Sequence, residues 1–138
     1  PLVMPTAWVI GADRNRVIKN DMVPHFEHMI KMDKKLAFTA LRLMNEHSAM
    51  DVLQKVKIPV LIIMGTHDRM TPPRHAYTMH KKIAGSELFI VPHGRHAALI
   101  ENPLAINFRI EIFLRDHFGY SAPLSSMKKR KGSVKRKR

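Results

Sequence analysis

The chain has no cysteine among its 138 residues. That excludes disulfides, thiolate metal sites and a cysteine nucleophile, and leaves the redox compartment open. It has no apolar run near the ~20 residues that a membrane-spanning helix needs, and its N-terminus lacks the charged, apolar and small-residue regions of a signal peptide. Nothing in the first 55 residues alternates with the period of a strand. The chain opens on Pro1 rather than methionine, so a segment of a longer reading frame is expected, in a soluble, cytoplasmic setting.

Basic charge, by contrast, is abundant, but unevenly spread. Of 24 Lys and Arg, eight fall in Met127–Arg138, "MKKRKGSVKRKR", which holds no acid; removing them leaves 16 basic against 11 acidic residues, about +5. From Ser121 onward periodicity is lost, and 121–138 reads as a disordered basic tail. Such a tail suits an anionic surface, nucleic acid or a nuclear import signal. It has no aromatic residue for base stacking, which favours a solubilising role.

Residues 1–55 read as helices. Ala7, Trp8, Ile10, Val17 and Ile18 form a loose stripe; Met22, Phe26, Met29 and Ile30 follow at three-to-four-residue spacing. Asp33 is placed to cap a helix whose face is Leu36, Ala40, Leu41 and Met44. The methionines here (Met22, Met29, Met32, Met44, Met50) are expected to pack a lid or core, or to line an apolar pocket. The segment reads as cap-like.

The texture changes at Lys57. "IPVLIIMG" is apolar at every position from Val60 to Met64, as in a strand buried on both faces. "PRHAYTMHKKIAG" reads as a helix with proline in its first turn and Gly85 as its stop. "SELFIVP" is a second short strand, and "NPLAINFRIEIFLRDHF" a terminal amphipathic helix. Residues 56–120 therefore read as a βαβα unit with a parallel pair, an α/β class. Two strands do not make a stable sheet. Something must extend this one, and the unit alone is expected to be unstable or oligomeric at its open edge.

In such sheets functional groups gather at the carboxyl ends of the strands. Asp68 follows the first strand, and His93 and His96 follow the second. An acid and a histidine there can meet, the acid holding the Nδ1–H of the imidazole. Read alone, Asp68 also suits a cap for the helix near Pro72, and Glu101 suits a charge at the N-terminus of the last helix. His67 reads as a loop histidine. The i,i+3 pairs His25/His28 and His93/His96 each lack a third metal ligand nearby.

"PVLIIMGTHDRMTPP", then "IAGSELFIVPHGRHAALIENP" and an apolar helix, resembles the C-terminal segment of the α/β-hydrolase fold superfamily. Gly65, Asp68 and Pro72 match its acid loop; His96, Glu101 and Pro103 match its histidine loop. The resemblance covers about Lys57–Phe118 and implies that Asp68 is the triad acid and His96 the general base, with no cofactor and no metal. The family's nucleophile sits in a G-x-S-x-G elbow, and no such motif occurs here. Ser48, in "EHSAMD", lacks the flanking glycines. The expectation is the C-terminal portion of a serine-type hydrolase of a carboxylic ester or related bond, acting on a small ester-like molecule and inactive by itself. A C–C bond hydrolase, lactonase or thioesterase fits the same residues. The alternatives are a truncated or degenerate non-catalytic relative, or a nucleic-acid-associated protein acting through its tail.

Overall fold

A computed structural model describes residues 11–13, 15–17, 23–24, 27–28 and 30–121. The expectations at Ala7–Ile10, Ile18, Met22, His25, Phe26, Met29 and the basic tail lie outside the described residues.

Asp33 caps the first long helix as expected, its Oδ1 accepting from Leu36 N at 2.7 Å. This helix, α1, runs Lys34–Glu46. None of its residues is buried. Leu36, Leu41 and Met44, expected to pack on one face, are 59–71% exposed, and Met32 and Met50 are exposed too. The reason is the lack of a partner among the described residues: apolar spacing shapes a helix face, but burial needs another surface against it. A 3₁₀ turn at Leu53–Lys55 leads out of the helical half.

Strand β1 is Leu61–Gly65, helix α2 is Pro73–Lys82 and strand β2 is Glu87–Val91. The strands pair in parallel, with Leu61 opposite Glu87 and Gly65 opposite Val91. Pro73 opens α2, where a missing N–H does no harm. The turn after α2 passes through Gly85 at φ +74°, a conformation that suits glycine. Of β1, only Ile62 and Gly65 are buried, so the expected burial on both faces is only partly present, because two strands and their helices do not enclose both sides.

The expected single terminal helix is two. A short turn, α3 (Ala98–Glu101), breaks at Asn102, and Pro103 starts α4 (Pro103–Phe118). Ile63, Phe89 and Val91 lie on one face of the strands by alternation. There they meet Ala98 of α3 and Ile106 and Ile110 of α4, with Ile106 only 1% exposed. Glu87, at the start of β2, binds Arg109 and, at 2.5 Å, His117 Nε2, both on α4.

The described residues 11–13 and 15–17 correct the helical reading there: they turn about Asp13, whose carbonyl accepts from Arg16 N and Val17 N at 3.1 Å. Part of this backbone is committed to residues far along the chain. Gly11 O accepts from Ala97 N at 2.7 Å, and Asp13 N donates to Glu101. No helix among the described residues is long and apolar enough to cross a membrane.

Candidate active site

Both strands end at loops that touch. Gly65 closes β1, and a Cβ there would lie 2.2 Å from the carbonyl oxygen of Gly94. No other residue fits that approach. The contact is tied by His67 N donating to Gly94 O at 2.8 Å, Thr66 N to Val91 O at 3.1 Å, and His93 N to Thr66 Oγ1 at 2.8 Å. Residues after β1 are thereby registered against residues after β2.

Asp68 sits in the first loop, 6% exposed. Its Oδ1 accepts from Met70 N at 2.8 Å and Thr71 N at 2.9 Å; its Oδ2 accepts from Thr71 Oγ1 at 2.7 Å and lies 3.0 Å from His96 Nδ1. Burial works against the charged form of Asp68. The Thr71 backbone and hydroxyl donors and the adjacent His96 outweigh it, and the carboxyl is held below its usual range. Asp68 therefore does not cap α2: that position is Pro72, which makes no side-chain cap. Its side chain instead closes the turn before the helix, an Asx turn.

Thr71 Oγ1 is also 3.4 Å from His96 Nδ1. The hydroxyl has a single proton and gives it to Asp68, so Nδ1 of His96 carries the hydrogen toward the carboxylate. That assignment follows from the bonding pattern and leaves the lone pair on Nε2. Among the described residues no group is bonded to Nε2. The imidazole is 43% exposed. It lines a cleft of about 310 Å³ together with Asp68, Thr71 and Arg95, walled on its apolar side by Ile63, Met64, Leu99 and Ile106.

The two residues read as acid and base thus come together. His93 does not join them. It stands in a left-handed conformation, φ +58°, with its ring 5.1 Å from that of His67. Ser48 is exposed and accepts from Met50 N at 3.3 Å; Ser86 is buried with its hydroxyl on the carbonyls that end α2. Neither reaches His96. Among the described residues no three of His, Cys, Asp or Glu converge as metal ligands.

Glu101 corrects its expected role. It is not in the first turn of α4 but is buried, its Oε1 accepting from Asp13 N at 2.7 Å and Oε2 from Arg95 N at 2.8 Å. The break at Asn102 turns it away from that helix end. Thr71 was not anticipated at all. The signal available was its position three residues after an Asp, the spacing of a side-chain-closed turn.

Comparison with known proteins bears on the fold. A family model described as the alpha/beta hydrolase fold matches residues 6–103. A pimeloyl-[acyl-carrier protein] methyl ester esterase of Neisseria meningitidis serogroup B is 33% identical over 54 residues, 39% of this chain and 21% of that protein. The serine hydrolase BPHL of Homo sapiens is 40% identical over 45 residues, 33% of this chain and 16% of that one. Among solved structures, a serine hydrolase involved in carbazole degradation superposes with a TM-score of 0.65 at 24% identity, covering 80% of this chain and 45% of that chain. The match thus spans about a fifth or less of those two relatives' length, and the two parallel strands among the described residues are an incomplete version of the fold. With the family match extending over most of its length, the chain belongs to the α/β-hydrolase fold family.

Proposed function

We propose that Asp68 and His96 are the acid and general base of a serine-type hydrolase acting on a carboxylic ester or a related bond. The observation that carries this reading is the 3.0 Å contact between Asp68 Oδ2 and His96 Nδ1, made from adjacent strand ends beside an apolar cleft. In this scheme a serine hydroxyl gives its proton to Nε2 of His96 as its oxygen attacks the ester carbonyl. The imidazolium returns that proton to the departing alkoxide, and water repeats the sequence to release the acid. Asp68 stays ionised throughout, fixing the tautomer and balancing the imidazolium.

The sequence has no G-x-S-x-G elbow, so the proposed nucleophile comes from outside these 138 residues and the chain alone is inactive. The names of its relatives support ester chemistry: one is a methyl ester esterase and another a serine hydrolase. The apolar wall of Ile63, Leu99 and Ile106 suits a small molecule with an apolar acyl or alcohol part.

The test is His96→Ala in the full-length product of the gene that encodes this chain, assayed with nitrophenyl esters. Turnover is expected to fall by about 10²–10⁴-fold. Near-normal turnover would sink the assignment and leave a non-catalytic relative as the better account.

A further inference from the structure

We propose that Glu101 is a positioning residue for His96: its carboxylate ties the backbone at Asp13 to the histidine loop and so holds the imidazole against Asp68. Two backbone donors from distant parts of the chain share one buried carboxylate. Asp13 N reaches Oε1 at 2.7 Å and Arg95 N reaches Oε2 at 2.8 Å. Both are short, charge-assisted bonds of the stronger kind.

The placement of the anchors carries the argument. His96 has Arg95 before it and Ala97 after it, and both are fastened to the same stretch. Arg95 N is bound through Glu101 to Asp13, and the Arg95 guanidinium donates to Ala12 O at 3.3 Å. Ala97 N donates to Gly11 O at 2.7 Å. Ala12, between them, is fully buried. The backbone of His96 is thus gripped on both sides while Asp68 holds its ring, and the Glu101 carboxylate accepts backbone donors from both stretches at once. A carboxylate suits this role. It accepts at both oxygens, whereas a glutamine there would set an N–H₂ against one of the two N–H donors.

The geometric role is independent of catalysis; only its weight in turnover rests on the hydrolase reading above. The test is the proton NMR signal of His96 Nδ1–H in the full-length product of the gene that encodes this chain, at one pH, in the parent and in Glu101→Gln. Losing one charge-assisted bond is expected to move that signal upfield and to speed its exchange with water by about tenfold. Ile83→Val, a small deletion in a buried residue away from the site, is expected to leave the signal unchanged. Should Glu101→Gln fail to fold, Asp13→Pro removes one donor and leaves the carboxylate in place, with the same shift expected. A parent-like signal and exchange rate in Glu101→Gln, or in Asp13→Pro, overturns the proposal. So does an equal change in Ile83→Val, which would mean the signal follows general stability.

The two readings fail separately. If His96→Ala leaves turnover of the full-length product intact while Glu101→Gln still releases the Nδ1–H signal, the hydrolase assignment falls and the positioning stands. If His96→Ala abolishes turnover and Glu101→Gln changes neither signal nor kcat, only the positioning falls.

Discussion

Helix α1 and the βαβα unit carry the same kind of sequence signal and end in opposite situations. Both have apolar residues at helical spacing. In α4 the spacing delivers Ile106 and Ile110 to a surface formed by the strands and α3, and Ile106 and Phe113 are buried. In α1 it delivers Leu36, Leu41 and Met44 to no described surface, and all three stay more than half exposed. What remains for α1 is local: the Asp33 cap and an Arg42–Glu46 pair at 3.2 Å, one turn apart. Thirteen residues with such support are marginal as an isolated helix. A periodic pattern therefore specifies which face is apolar, and only the tertiary partner decides whether that face contributes stability.

The sharpest way to break the comparison is Ile106→Ala. Ile106 is 1% exposed and belongs to both the core and the cleft wall. Its truncation is expected to cost about 2–5 kcal/mol, read as a shift of the denaturant midpoint. A change below about 0.5 kcal/mol would place Ile106 with the surface residues and erase the contrast with α1.

Next in size is Gly65→Ala. The added methyl meets backbone at 2.2 Å, not a side chain that can swing aside. The loops must part, at a cost of about 1–3 kcal/mol, and the Asp68–His96 contact should lengthen with them. Unaltered stability would show that the strand ends are looser than their hydrogen bonds imply.

Asp68 sharpens the comparison through pH. Its carboxyl is held below its ordinary range in the folded chain, as the Thr71 and His96 contacts outweigh burial. Its stabilising contribution is therefore complete above the unfolded carboxylate value, ~3.9, and is lost as pH falls through that value toward the folded one. The stability gap between the parent and Asp68→Asn should persist from neutral pH down to about pH 5 and close in stronger acid. A gap that instead opened as pH fell would contradict the bonding described for Oδ1 and Oδ2.

Much of this half was legible from local chemistry. The unbroken apolar runs at Val60–Met64 and Leu88–Val91 gave strands, proline and glycine gave the limits of α2, and the strand-end rule put Asp68 and His96 on one side. Beside Thr71 and the break at Asn102, three things were not legible for a non-local reason. Glu101 reads locally as a helix-end charge; its partners are Asp13, 88 positions away, and the backbone of Arg95. The stretch about Asp13 has helix-compatible residues, but the bonds of Gly11 and Asp13 to residues 97 and 101 override that preference. That no described residue covers α1 has no signature in α1 itself.

The smallest expected effect tests that last point. Leu41 is 59% exposed on α1, so Leu41→Ala should change stability by no more than about 0.5 kcal/mol. Alanine has slightly better helix propensity than leucine, which leaves even the sign open to a small gain. Asp33→Ala, removing the cap, should instead cost about 1 kcal/mol of helix stability, seen as fraying of the first turn in amide hydrogen exchange. In a packed helix the order is the reverse, since a buried leucine outweighs a cap. If Leu41→Ala proves the more damaging of the two, a surface covers that face, and the difference between α1 and α4 is one of partner identity and not of partner absence.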